Sequence, residues 1–344
     1  MDKRGKKILR IVLCDILAIG VGLVVFSYFH HGRMQEVEPV KLEKPQTEVP
    51  VLQTTPEPAA ESSVPGSEPE QKPEQGQIPD AEPSAVPTGL LQGKYQDKFS
   101  EEPVFGENYY KSRNISIELE QKDYFGAVVH VADVYLNDIE CYRTAVYDQY
   151  SKRYMSTLDM ANAAGAIVAI SGDHFYAHRN AGVFSVRNGM MYANNPNRNQ
   201  DICVLYYDGT METYGAAEYD VEDICSKGPY QVWYFGPLLL DGDGKAIPSF
   251  QSTVADVNPR SAIGYYEPGH YCLLMVEGRS KDSEGVTLTQ LSSIFEDLGC
   301  KAAYNLDGGK TASIVFNGQQ WSKLLGNGRV VSDIVCIAEK EGQQ

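Results

Sequence analysis

The stretch AAYNLDGGKTASIVFNG, residues 302–318, decides how the rest of the chain is read. A strand-like run ends in Asp307, two glycines follow, and then come Lys310 and a series of small residues. Two readings stand open at this point. Asp-Gly-Gly is ordinary turn chemistry for a hairpin. It is also what a strand end needs where bare backbone must let a ligand approach a carboxylate. The residues just upstream narrow the context. In TLTQLSSIFEDLG (287–299), Thr287 and Gln290 form a capping box and Leu291, Ile294, Phe295 and Leu298 line one face, which predicts a helix. Gly299 stands where a helix C-terminal cap is wanted. A strand pattern at 270–276 precedes this helix, so Asp307 closes a strand–helix–strand passage.

Outward from this passage, short apolar runs alternate with Asn-Gly and Asp-Gly pairs. SVRNGMMY (185–192), VLYYDGTMETY (204–214), LLLDGDGKAI (238–247) and IVFNGQQW (314–321) each carry the strongest short-range hairpin signal. Longer strands are expected at 125–136, 166–171, 201–207, 261–266, 270–276 and 329–337. Helices are fewer, with STLDMANAAGA and AEYDVEDICSKG as the other two. The expected fold is α+β, mixed β-sheets with a few covering helices, over residues 95–344, long enough for a proper core. Six of the seven cysteines fall in this part, in no metal-finger or redox spacing. Cys203 and Cys225 are candidates for a disulfide, with free buried thiols as the alternative.

The N-terminal third has another character. Residues 1–10 are strongly basic, and residues 11–29 form an apolar run long enough to span a bilayer as a single transmembrane helix. The basic tail places the N-terminus in the cytoplasm by the positive-inside rule. No small-x-small cleavage site follows the apolar run, so an uncleaved anchor is expected rather than a signal peptide. Residues 30–94, rich in Pro, Glu, Gln and Ser, read as a disordered linker. The chain of 344 residues carries a formal net charge of -16, and this linker supplies a large share of it. That balance argues against a nucleic-acid partner. The C-terminal domain is therefore expected outside the cell membrane, tethered through the N-terminal helix.

Three strand ends carry residues suited to chemistry. AIVAIS ends at Ser171-Gly172-Asp173, Arg260 enters a strand in NPRSAIG, and Glu277-Gly278-Arg279 leaves the next. Asn305, Asp307, Gly308 and Gly309 form the third end. Guanidinium groups fork onto phosphate oxygens. Carboxylates suit an oxocarbenium-like centre, and adjacent glycines let backbone N–H groups approach an oxyanion. A solvated turn or surface ion pair accounts equally well for any one of these residues; their joint occurrence favours chemistry. His174 and His178 are spaced as a zinc pair would be, but the segment is a poor helix and lacks a third ligand. No metal site or cofactor is assigned, and a divalent cation finds no support in the sequence. Trp233, Tyr234 and Phe235 fit a core strand edge better than a sugar platform. No nucleophile-elbow or phosphate-loop motif is present.

At these residues the chain resembles the phosphodiester glycosidase family. The similar pieces occur in order: AIVAISGDHF, GVFSVRNGMMY, FGPLLLDGDG, NPRSAIG, LLMVEGRS, GVTLTQLSSIFEDLGC, AAYNLDGG and VSDIVCI. The resemblance covers most of residues 105–338 and implies hydrolysis of a sugar-1-phosphodiester between the anomeric carbon and the phosphate oxygen. Carried over by position, it implies catalytic roles for Asp307, Asp173 and Glu277. It also implies substrate or phosphate contacts from Arg260, Arg279, Asn305, Gly308 and Gly309, joined by Lys310 and Thr311. The implied partner is a carbohydrate-phosphate substrate in the cell envelope or extracellular glycopolymers. There are departures from the family pattern. Ser171 stands where Asn is usual, His174 replaces an aromatic residue or Gly, and Glu277 replaces Asp. Lys310, Thr311 and Ala312 replace a third glycine and serines. A non-catalytic envelope-glycan-binding module of the same fold is the alternative.

Overall fold

A computed structural model describes residues 17, 19–21, 39–42, 44, 89–147, 151, 153–173, 184–194 and 200–340. The strands in chain order begin with β1 (Val40–Lys41), β2 (Val104–Phe105), β3 (Tyr109–Lys111), β4 (Ile115–Tyr124), β5 (Ala127–Leu136) and β6 (Tyr142–Val146). Next come β7 (Ala166–Ser171), β8 (Phe184–Arg187), β9 (Met190–Asn194), β10 (Ile202–Tyr206), β11 (Met211–Tyr214) and β12 (Pro229–Trp233). The last are β13 (Arg260–Glu267), β14 (His270–Val276), β15 (Ala302–Leu306), β16 (Ile314–Phe316), β17 (Gln319–Gln320) and β18 (Asp333–Ala338). The helices are α1 (Thr157–Ala163), α2 (Val221–Ser226) and α3 (Leu288–Asp297).

These strands form three sheets, ordered β1-β9-β8-β12-β10-β11, β15-β13-β14-β5-β4-β3-β2 and β17-β16-β7-β18-β6. The domain is mostly β with few helices, but the expectation of mixed sheets is corrected. Every strand pairing among the described residues is antiparallel. The strand–helix–strand passage explains the difference. β14 and β15 do run parallel, but α3 carries the chain past β13, which lies between them and opposes both.

The local signals act where they were expected. Asn188-Gly189 and Asn317-Gly318 hold φ values of 53°, 75°, 45° and 73°, the left-handed pair a tight hairpin requires. The Thr287–Gln290 capping box is formed at the start of α3. Leu291, Ile294 and Phe295 are buried against the outer face of the seven-stranded sheet. Each is worth about 1.5–3 kcal/mol of burial. The opposite face of that sheet packs against residues of the other two sheets, including Ile170, Val335, Leu205 and Trp233. This common core fixes the three sheets against one another.

Two features lie in or beside the stretch expected to be a linker. The packed body includes residues from Gly89, with Leu91 buried, six residues before the expected boundary. Val40 and Lys41 add an edge strand to β9. Most of residues 11–29 lie outside the described residues, and among those described no helix is long and apolar enough to cross a membrane. His174 and His178 also lie outside them. Among the described residues no group of three or more His, Cys, Asp or Glu side chains could hold a metal ion. Cys203 is buried, Cys225 sits half-buried on α2, and both are free thiols.

Candidate active site

Antiparallel register brings the site residues to one edge. Arg260 opens β13 opposite Val276, the last residue of β14, and Ser261 faces Leu306, the last residue of β15. The chain therefore leaves two strands and enters the one between them at the same end. Arg260, Glu277, Arg279 and Asp307 follow from that register.

A cavity of about 350 Å³ opens there, in the size range of ligand sites. Asp307, Gly308, Gly309, Lys310, Arg260 and Arg279 line it, together with Asn258, Arg329 and Phe235. Four basic side chains thus surround one carboxylate. Burial pushes the Asp307 carboxyl up to about 6; the Thr311 hydroxyl and Arg329 oppose the rise, and Asp173 and Asp333 add to it. Burial, joined by the neighbouring charge of Arg279, brings the Arg260 guanidinium down to about 10. Two cations pressed together in this way favour an anion between them.

The supports of each cation differ. Arg260 is buried and gives Nε to the Val286 carbonyl at 3.0 Å and Nη2 to the Asp256 carbonyl. Arg279 is exposed and adopts φ 55°, a left-handed conformation that costs a non-glycine residue about 1–3 kcal/mol. Its amide bonds to the Glu284 carbonyl at 2.9 Å, and its guanidinium donates to Asn258 Oδ1. Strain held by surrounding contacts in this manner is typical of functional positions.

The two glycines serve the loop more than the ligand. A Cβ on Gly308 would lie 2.6 Å from the Pro259 carbonyl oxygen, too close for any side chain. The Gly309 amide donates to that same carbonyl at 2.8 Å and is committed there, not free for an oxyanion. The Asp307 amide bonds to the Gly172 carbonyl at 3.0 Å, and the Ser171 hydroxyl donates to the Asp307 carbonyl at 2.9 Å. Ser171, in the place where Asn is usual, is therefore a buried tie between β7 and the Asp307 corner. Thr311 donates its hydroxyl to the Gly308 carbonyl at 2.6 Å, stapling the turn.

Asp173 and Glu277 are not among the described residues that line the cavity. Asp173 accepts from the Phe235 amide at 2.6 Å, the Tyr234 amide at 2.8 Å and Arg187 Nη2 at 3.0 Å. Arg187 also donates Nε to Asp333 at 3.1 Å, and both of these side chains are fully buried. Burial opposes the charge on Arg187, but Asp333 and Asp173 outweigh it and raise the guanidinium pKa. Glu277 meets His130 Nε2 at 2.8 Å and accepts from the Lys323 amide at 2.8 Å. It thereby holds the start of the segment that carries Arg329 to the cavity. Asn305 is buried behind the site, donating to the Gly236 carbonyl at 2.7 Å.

Six lining residues lie outside the sequence candidates: Phe235, Thr253, Val254, Asn258, Leu306 and Arg329. Asn258 opens the NPRSAIG piece that resembles the family, whereas Arg329 comes from a loop without any motif and its only signal is its charge. Phe235 was read with the core aromatics; Trp233 and Tyr234 are indeed buried, while Phe235 is half-buried and faces the cavity.

The central strands of this β-domain thus end around a cavity rich in cations. The chain belongs to the phosphodiester glycosidase family, whose sequence profile matches residues 164–338. It is similar to the SPbeta prophage-derived uncharacterized protein YomE of Bacillus subtilis (strain 168), with 30% identity over 190 residues. That match takes in 53% of this chain and 29% of YomE, so the chain spans less than a third of that relative's length. Among solved structures it is similar in fold to the zebrafish N-acetylglucosamine-1-phosphodiester alpha-N-acetylglucosaminidase catalytic domain auto-inhibited by its pro-peptide. The TM-score is 0.52 at 20% identity, covering 71% of this chain and 86% of that one. A hypothetical protein from Synechocystis aligns with a TM-score of 0.49 at 15% identity, covering 66% of this chain and 62% of its own.

Proposed function

We propose that the chain hydrolyses a sugar-1-phosphodiester, with Asp307 acting at the anomeric carbon. Arg260, Arg279, Lys310 and Arg329 hold the phosphate. The carrying observation is a single carboxylate, raised to about 6, inside a cavity lined by four basic side chains. At neutral pH Asp307 is mostly ionised, which suits a base or nucleophile. An ordinary glycoside needs a second carboxyl group to protonate its leaving oxygen. A phosphate leaves as an anion that four cations stabilise, so it needs no such acid. This accounts for a site in which Asp173 and Glu277 serve as structural acceptors around the reacting residue.

The wider setting belongs to the same proposal. Residues 11–29 anchor the chain in the cell membrane and the domain works outside it, on cell-envelope or extracellular glycopolymers. The apolar run and its basic flank in the sequence support this placement.

A second reading is a glycan-phosphate binding module without turnover. The observation in its favour is that the other two acids stand outside the cavity lining, while Lys310 adds a cation where bare backbone is the family pattern. The deciding experiment is hydrolysis of an N-acetylglucosamine-1-phosphodiester by the protein and by Asp307→Asn. Turnover that disappears in the variant supports the glycosidase. Equal binding by both proteins, with no turnover by either, supports the binding module.

A further inference from the structure

The cavity holds more positive charge than a phosphodiester can match. Arg260, Arg279, Lys310 and Arg329 line it with one carboxylate, Asp307, an excess of three positive charges. Among the described residues none of these four cations forms an ion pair with a carboxylate. Elsewhere on this acidic chain Lys94, Lys245, Lys323 and Lys340 each meet a carboxylate at 3.2 Å or closer. The Arg260 guanidinium instead donates to the carbonyls of Val286, Ala255 and Asp256, and Arg279 donates to the side-chain amide oxygen of Asn258. Neutral partners hold these groups in place without cancelling their charge.

A sugar-1-phosphodiester carries one negative charge on its phosphate. Hydrolysis breaks the bond from the anomeric carbon to the bridging oxygen, and the electron pair stays on that oxygen. Water supplies a hydroxyl to the carbon, and its other proton is released to solvent. The products are a free sugar and a phosphate monoester, whose second ionisation lies at about pH 6, so that it carries two charges in mild base. Cations placed to stabilise the charge that develops on the leaving phosphate therefore hold the finished monoester more tightly than the starting diester. Lys310 widens this difference. It is exposed, lines the cavity and stands where bare backbone is the family pattern. Attraction to its ammonium scales with the charge of the ligand. The factor by which it favours a dianion is therefore the square of the factor for a monoanion.

We propose that the cavity, through Lys310, retains the phosphate monoester it forms, so that hydrolysis is restrained by its own product and by other phosphate dianions. The inference rests on the phosphodiester reading of the cavity and adds its regulation. Turnover is fast where phosphate is scarce and slows where phosphate accumulates.

The test uses the full chain at about pH 8 and fixed ionic strength, with the methyl diester of N-acetylglucosamine-1-phosphate as substrate. Methyl phosphate, its product, and dimethyl phosphate, the singly charged counterpart, are compared as competitive inhibitors. Methyl phosphate is expected to bind roughly tenfold more tightly. Lys310→Met should raise KM for the diester roughly threefold and Ki for methyl phosphate roughly tenfold, whereas Lys310→Arg should keep both near the parent values. Inorganic phosphate separates the sources of the dianion. A Ki near that of methyl phosphate supports restraint by any phosphate, and a much weaker one supports restraint by the product. Equal inhibition by methyl and dimethyl phosphate, or equal loss of substrate and product affinity in Lys310→Met, overturns the proposal while leaving hydrolysis intact. If the diester is not cleaved, the hydrolytic reading falls, and calorimetric titration with the two methyl esters decides the charge preference. A preference for methyl phosphate that Lys310→Met reduces sustains retention of the dianion, and equal affinity refutes it.

Discussion

Replacing Asp307, the carboxylate of the cavity, should make the protein more stable, and the size of the effect follows from its surroundings. Burial lifts the Asp307 carboxyl from 3.8 to about 6. The folded state therefore binds this proton more tightly than the unfolded chain does. Below pH 3.8 both states hold it and the penalty is absent. As pH rises towards 6 the unfolded chain releases it first, and folding stability falls across that window. At about 1.4 kcal/mol for each pH unit, the penalty at neutral pH is about 3 kcal/mol. Partial exposure of the side chain trims this, so Asp307→Asn should gain about 1–3 kcal/mol at pH 7.5 and almost nothing at pH 4. Urea denaturation of both proteins at the two pH values measures the difference, and thermal midpoints should follow at about 2–4 °C per kcal/mol. A variant no more stable than the parent at pH 7.5, or equally stabilised at both pH values, would refute the assignment of Asp307 as a desolvated carboxylate.

Hydrolysis should rise with pH through about 6 as Asp307 ionises, and Arg329→Gln should move that midpoint upward because a cation that favours the ionised form is gone; a pH–rate profile of both proteins checks this. Arg187→Met should cost about 3–5 kcal/mol by chemical denaturation, since it leaves the buried carboxylates of Asp173 and Asp333 without their shared cation. Glu277→Gln, which keeps an oxygen for the Lys323 amide, should retain most activity, whereas Glu277→Ala should raise KM several-fold by loosening the segment that carries Arg329. Equal loss of kcat in both variants would instead place Glu277 in the chemistry.

Much of this arrangement was written locally in the chain. Asn188-Gly189 and Asn317-Gly318 announced their hairpins because left-handed backbone is a property of two residues. The Thr287–Gln290 box marked α3 for a similar reason. β4 was missed because its outer half, Glu120 to Asp123, is polar and its turn uses Phe125 at φ 55°, a residue turn chemistry does not favour. The strand ends bearing Asp173, Glu277 and Asp307 were legible, but their separate fates were not. Whether a carboxylate faces solvent, a cation or a run of amides depends on elements far away in sequence. Arg187 held a clue, being a charged residue in a strand otherwise made of buried positions. Arg329 held only its charge, because nothing local brings its loop to the cavity.

The order of the five-stranded sheet has a consequence for vectorial synthesis. β6 and β7 are consecutive in the chain, yet β18 lies between them and supplies Asp333 to the buried ion cluster. A nascent chain that has made β6, β7 and β8 thus lacks the strand that lies between the first two, and its Arg187 is incompletely neutralised. Neither is resolved until β18 has been made, which begins 146 residues after Arg187. Throughout that interval the open edges are targets for wrong partners. The step that closes the sheet also completes the scaffold under Asp307, so ligand binding at this corner reports that the last strand has been inserted.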